Sequence, residues 1–219
     1  MRKIFIYAMW GFVFICIAAV AIVFTAIAKG KIGYVPPVEE LENPNLKFAT
    51  QVISEDGKLL GTWSLSKENR VYVGYEDLSP HLVHALVATE DVRFEEHSGI
   101  DARAFMRAVI KRGIFMQKHA GGGSTITQQL ARNFFLSPER TLMRKIKEVF
   151  LAIRIEQLLT KDEILELYLN KIYLGYRAYG VGAAAQVYFG KTVDQLTLNE
   201  MAVIAGLPKA PSTFNPLYS

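Results

Sequence analysis

Ile4 to Ala28 contains no charged side chain. Wound as a helix, that run measures roughly 37 Å, enough to cross a bilayer with some tilt. Tyr7 and Trp10 lie near one end, where amphipathic rings favour the membrane interface. A cleaved signal peptide is the rival reading, with Arg2-Lys3 as its basic start and Ala26-Ile27-Ala28 as a cleavage-like site. The apolar run exceeds the about 7–15 residues of a signal core. The expectation is therefore an uncleaved single-pass anchor over residues 4–28, with residues 1–3 in the cytoplasm. Arg2 and Lys3 set against Lys29 and Lys31 favour that orientation only slightly.

The remainder of the 219 residues leaves room for one domain. A hydrophobic content of 51% excludes a disordered chain. The formal charge of +4 is mild and does not point to nucleic acid. The single cysteine, Cys16, falls inside the apolar run, which excludes an intrachain disulfide and a cysteine-based zinc site. The four histidines form no HExxH pattern.

Residues 29–48 hold Pro36, Pro37 and Pro44 with Glu39, Glu40 and Glu42, and read as a stiff, solvated linker. Gln51-Val52-Ile53 and Leu59 to Trp63 flank Asp56-Gly57, a hairpin signal, and Val71-Tyr72-Val73 suggests a third short strand. From Ser79 the pattern is helical. Ser79-Pro80 and Ser137-Pro138 each place a cap before a first-turn proline. Thr125 with Gln128, Thr160 with Glu163 and Thr197 with Glu200 fit capping boxes, Asp101 suits a further cap, and Gly206 before Pro208 suits a stop. The expected domain, residues 49–219, is mainly α with a small β element. The lack of β–α alternation excludes Rossmann and TIM architectures.

Four clusters carry chemistry. Glu90-Asp91 ends an apolar helix, where partial burial beside a second charge suits a general base or acid; a solvated helix end is the plainer reading. Gly121 to Gly123 opens a capped helix at Thr125, offering free backbone N–H groups to an anion, or simply a loop entering a helix. Without Gly-Lys-Ser/Thr it is not a nucleotide P-loop. One of Gln128 and Gln129 suits a buried hydrogen bonder. Arg140, Arg144 and Glu148 recur every four residues and share a helix face, suited to a diphosphate with a divalent metal on Glu148, or to a surface ion-pair stripe. Ile164 to Asn170 is an amphipathic core helix with Asn170 as a stop.

In this order, behind a membrane anchor, the clusters resemble the peptidoglycan glycosyltransferase module of the class A penicillin-binding proteins, glycosyltransferase family 51. The resemblance rests on E-D-x-x-F-x-x-H-x-G from Glu90 to Gly99, G-G-S-T-I-T-Q-Q from Gly122 to Gln129, R-K-x-x-E from Arg144 to Glu148 and I-L-E-x-Y-L-N from Ile164 to Asn170. It runs from about Val52 to the end.

The resemblance implies a lysozyme-like helical fold that polymerises lipid II, with inversion and release of undecaprenyl diphosphate. It assigns Glu90 as the base that deprotonates the acceptor 4-hydroxyl, and Glu148 as a second essential carboxylate. Ser124, Thr125, Gln128, Gln129, Arg132, Arg140, Arg144 and Lys145 would hold the diphosphate. Asp91, Phe94, His97, Gly99 and Asn170 complete the motifs. Mg²⁺ or Mn²⁺ assists some members, and no organic cofactor is implied. The implied partners are lipid II, the growing glycan strand, the membrane and other cell-wall synthesis proteins, with no nucleic acid. The implied place is the bacterial cytoplasmic membrane, with the catalytic domain outside. Arg132 stands where the family often has Lys. The fifth motif, expected beyond Asn215-Pro216, is missing, so the sequence reads as truncated, with any transpeptidase domain beyond Ser219. A lysozyme-like hydrolase and an inactive scaffold for cell-wall enzymes are the alternatives. The segment from Phe105 to Lys118 mixes large apolar and basic residues, and is expected to touch the bilayer.

Overall fold

The computed structural model describes residues 2–31, 36–42, 50–55, 59–63, 70–113, 123–139 and 141–217. They form two compact units, Met1–Val38 and Glu39–Ser219. The first is dominated by α1, Arg2–Ala28, whose stretch Lys3–Ala28 is long and apolar enough to cross a membrane. A short helix, α2 (Val38–Glu42), interrupts the expected linker and buries Leu41. In the second unit, β1 (Thr50–Ile53) pairs antiparallel with β2 (Leu59–Trp63), as the hairpin signal predicts. The Asp56-Gly57 turn lies outside the described residues.

Val71 to Val73 is not the expected third strand. The backbone of Val73 is paired by a side chain instead: its N–H donates to Asn170 Oδ1 at 2.9 Å and its carbonyl accepts from Asn170 Nδ2 at 2.8 Å. This also corrects the reading of Asn170 as a helix stop. It is buried within α7 (Lys161–Lys171), and its amide stands in for the neighbouring strand that the segment lacks.

The helical body begins with α3 (Pro80–Glu90), entered at Ser79 with Pro80 in its first turn. Helix α4 (Ala102–Gly113) starts at Asp101, whose carboxylate accepts from Ala104 N at 2.8 Å and pairs with Arg93. Burial pushes the Asp101 carboxyl upward, but the Ala104 N–H and the Arg93 guanidinium outweigh it and hold the group below the usual range. Thr125 caps α5 (Ile126–Phe135), and Thr141 caps α6 (Leu142–Leu158). Ser137-Pro138 therefore opens no helix. The cap comes later, at Thr141, whose hydroxyl accepts from Arg144 N at 3.1 Å.

Full capping boxes open α7 at Thr160 and the last long helix at Thr197. Between them, α8 (Val181–Phe189) starts at Gly180, where φ is +84° and a Cβ would lie 2.7 Å from Asn170 O. The final helix, α9 (Leu198–Gly206), packs on α3, and Pro208 follows its end as expected. Helix α5 packs between α6 and α7. Its two faces build the site.

Candidate active site

One face of α5 meets Glu90, the last residue of α3. Gln129 Nε2 donates to Glu90 Oε2 at 2.9 Å, and Tyr168 of α7 donates its hydroxyl to Gln129 Oε1 at 3.1 Å. Among the described residues, Gln129 is the one hydrogen-bond partner of the Glu90 side chain. The second carboxylate oxygen is thus open to a proton. Burial, then the negative charge of Glu90, push the Tyr168 phenol well above its ordinary range.

The rest of the first motif anchors Glu90. Asp91 is buried, and its Oδ2 accepts from Ile126 N at 3.0 Å, placing a carboxylate on the positive end of α5. The same oxygen meets His97 Nε2 at 3.0 Å. Phe94 is fully buried, edge-on to His97, with the Lys161 ammonium 4.2 Å from its ring centre. Lys161 also donates to His97 O at 2.7 Å and pairs with Glu156 at 2.7 Å. Gly99 has a φ of +87°, and a Cβ there would sit 2.8 Å from Ala152 O of α6. Its carbonyl accepts from the Thr125 hydroxyl at 2.7 Å. Asp91, Phe94, His97 and Gly99 therefore fasten the Glu90 turn to α5, α6 and α7.

The other face of α5 meets α6. Lys145 Nζ donates to Ser124 Oγ at 2.7 Å, to Gln128 Oε1 at 3.0 Å and to Glu148 Oε1 at 2.6 Å. Arg144 Nη1 holds Glu148 Oε2 at 2.5 Å. The Glu148 side chain is 1% exposed, so its charge is offset by two cations rather than by water. Thr125 accepts from Gln128 N, but the Gln128 side chain turns to Lys145, leaving the expected capping box half made. Gln128 is the buried hydrogen bonder expected of the pair, and the half-buried Gln129 is bonded as well.

Arg132 belongs to neither set. It lines a cavity of about 260 Å³ with Arg70, Gln129, Lys171, Tyr173 and Tyr179. Arg140 lies outside the described residues. The predicted diphosphate ligands are thus divided, with Ser124, Gln128, Arg144 and Lys145 in one cluster and Arg132 beside Gln129.

A divalent metal on Glu148 does not fit this donor set. Both oxygens are engaged by cations, and no group of three or more His, Cys, Asp or Glu that would hold a metal occurs among the described residues.

Sequence reasoning missed Tyr168 and Arg70. Tyr168 falls on the expected core helix, yet a buried phenol needs a partner, and that is a signal. Arg70 is buried with its guanidinium 5.2 Å from the Tyr179 ring centre, and nothing local in the sequence announces it.

Residues 56–219 match the family model described as Transglycosylase. Penicillin-binding protein 1A of Escherichia coli (strain K12) is 67% identical over 84% of this chain and 21% of its own length. The protein of the same name from Vibrio cholerae is 57% identical over 84% of this chain and 22% of its own length. A crystal structure of penicillin-binding protein 1A from Haemophilus influenzae aligns at 36% identity over 80% of this chain and 16% of that chain, with a TM-score of 0.40. The chain spans about a fifth of the length of these curated relatives. With three quarters of its residues under the family model, the chain belongs to the transglycosylase family.

Proposed function

We propose that the chain is the glycosyltransferase part of a peptidoglycan polymerase. It joins lipid II units into glycan strands with inversion and releases undecaprenyl diphosphate. The observation that carries this reading is the contrast between its carboxylates. Glu90 is half-buried and keeps one oxygen open, while Glu148 is buried with both oxygens spent on Arg144 and Lys145. A carboxylate with a free oxygen suits a base that takes the proton of the acceptor 4-hydroxyl as that oxygen attacks C1 of the donor. A hydrolase needs a second carboxyl to protonate its leaving group, whereas a diphosphate leaves as a stable anion. The Lys145 cluster and Arg132 supply positive charge for that anion. Glu148 then positions Lys145 and Arg144 rather than reacting, and no step runs through a metal.

The test is lipid II polymerisation by the full-length protein carrying Glu90→Gln. The expected loss is roughly two to four orders of magnitude. Near-normal polymerisation overturns the assignment.

The apolar helix α1 supports an anchor in the bacterial cytoplasmic membrane, and the slight basic bias of Arg2 and Lys3 favours the catalytic unit outside. Helix α4 adds a second contact, because Phe105 (52% exposed), Met106 (54%) and Ile110 stand out among Arg103 and Arg107. Ile114 to Lys118, the rest of that expected contact, lie outside the described residues. With residues 1–28 removed, Phe105, Met106 and Ile110 changed together to Ser should abolish binding to anionic vesicles while the fold persists. Retained binding refutes the α4 contact.

A further inference from the structure

We infer that Tyr168 is a positioning residue for the base, fixing through Gln129 the orientation in which Glu90 can accept a proton. This rests on the reading of Glu90 as the base. Two hydrogen bonds carry it: Tyr168 hydroxyl to Gln129 Oε1 at 3.1 Å, and Gln129 Nε2 to Glu90 Oε2 at 2.9 Å. A glutamine amide has a donor end and an acceptor end of nearly equal shape, so its direction is set by its neighbours. Turned over, Gln129 would aim its carbonyl oxygen at the Glu90 carboxylate, and two acceptors would meet.

Tyr168 disfavours that alternative further, because its buried hydroxyl proton would lose its acceptor. Its side chain is 0% exposed, so it has no water to bond with, and its burial together with the Glu90 charge keeps the phenol protonated. A phenol that keeps its proton is a standing donor, and it claims the carbonyl end of Gln129. The NH₂ end then faces Glu90 Oε2 and leaves the other oxygen for the acceptor hydroxyl. Helix α7 therefore reaches the base across α5 without touching substrate.

The experiment uses the full-length protein and lipid II, comparing Tyr168→Phe, Gln129→Ala, the double variant and Glu90→Gln. The relay predicts that Tyr168→Phe lowers kcat about tenfold, the scale of one hydrogen bond to a charged system. It also predicts that KM stays within about twofold and that the acid limb of the pH–rate profile moves to higher pH. The double variant should lose no more than Gln129→Ala alone, because both act through one path. If Tyr168 only fills the core, Tyr168→Phe leaves kcat and the acid limb unchanged, and the inference fails. Should that variant not fold, Gln129→Ala decides: the same loss and shift support the relay, and an unchanged profile overturns it. A Glu90→Gln variant with near-normal activity removes the base assignment itself. A dead Glu90→Gln beside an unaffected Tyr168→Phe removes only the relay.

Discussion

Gln128 and Gln129 are neighbours on α5, and they serve two regions of opposite character. Successive residues on a helix point about 100° apart, so Gln129 turns to Glu90 and Tyr168 while Gln128 turns to Lys145 and the Glu148 cluster. On the Glu90 side the carboxylate is half-buried, held by one neutral amide and open at its second oxygen. On the Glu148 side the carboxylate is buried, and each oxygen meets a cation. Both are glutamates on helices with apolar neighbours, and sequence pattern alone does not rank them. The difference teaches that a carboxylate's role follows from how many of its lone pairs the fold has already used. One with a free oxygen can take a proton, and one enclosed by cations can only place them.

The comparison breaks most visibly in the paired variants Glu90→Gln and Glu148→Gln. Glu90→Gln should cost roughly two to four orders of magnitude in polymerisation and almost nothing in melting temperature. Glu148→Gln should also lower polymerisation, because it misplaces Arg144 and Lys145, but unlike Glu90→Gln it should cost stability as well. Leaving Arg144 and Lys145 without their anion should destabilise the fold by about 3 kcal/mol, the low end for a broken buried pair because both cations reach solvent. Chemical denaturation of the two variants side by side measures this. Equal stability losses would erase the distinction.

A smaller effect probes the joint between the two regions. Gly99→Ala forces a side chain onto a left-handed backbone and against Ala152 O, at a cost of about 2 kcal/mol. Since the Gly99 carbonyl holds Thr125, the strain should spread to both faces of α5. Hydrogen exchange across residues 126–135 should rise in that variant. If exchange stays at the parent level, the two regions are not joined through Gly99.

The reach of sequence reasoning follows the reach of each interaction. The caps at Thr160, Thr197 and Asp101 were legible because each is a bond across three residues. Ser137-Pro138 misled because the same dipeptide suits a turn, and only the hydroxyl of Thr141 finds a helical N–H. The motifs brought Glu90, Gln129 and Lys145 to notice, but as residue types in a pattern, without the partners that give them different tasks.

By itself the sequence determined the apolar span, the β hairpin, the helical class with most of its starts, and the motif set that places the chain in its family. These depend on periodicity and on contacts within a few residues, which are written locally. The tertiary structure alone decided that Asn170 replaces a strand for Val73, that Tyr168 reaches Glu90 through Gln129, and that Glu148 is enclosed while Glu90 is not. The pairs of Glu148 with Arg144 and Lys145 are local and only its burial is tertiary, but the Asn170 and Gln129 bonds span 97 and 39 residues of chain. At such separations the partner is chosen by how α3, α5, α6 and α7 pack, and packing is a property of the whole set of helices rather than of any stretch of sequence.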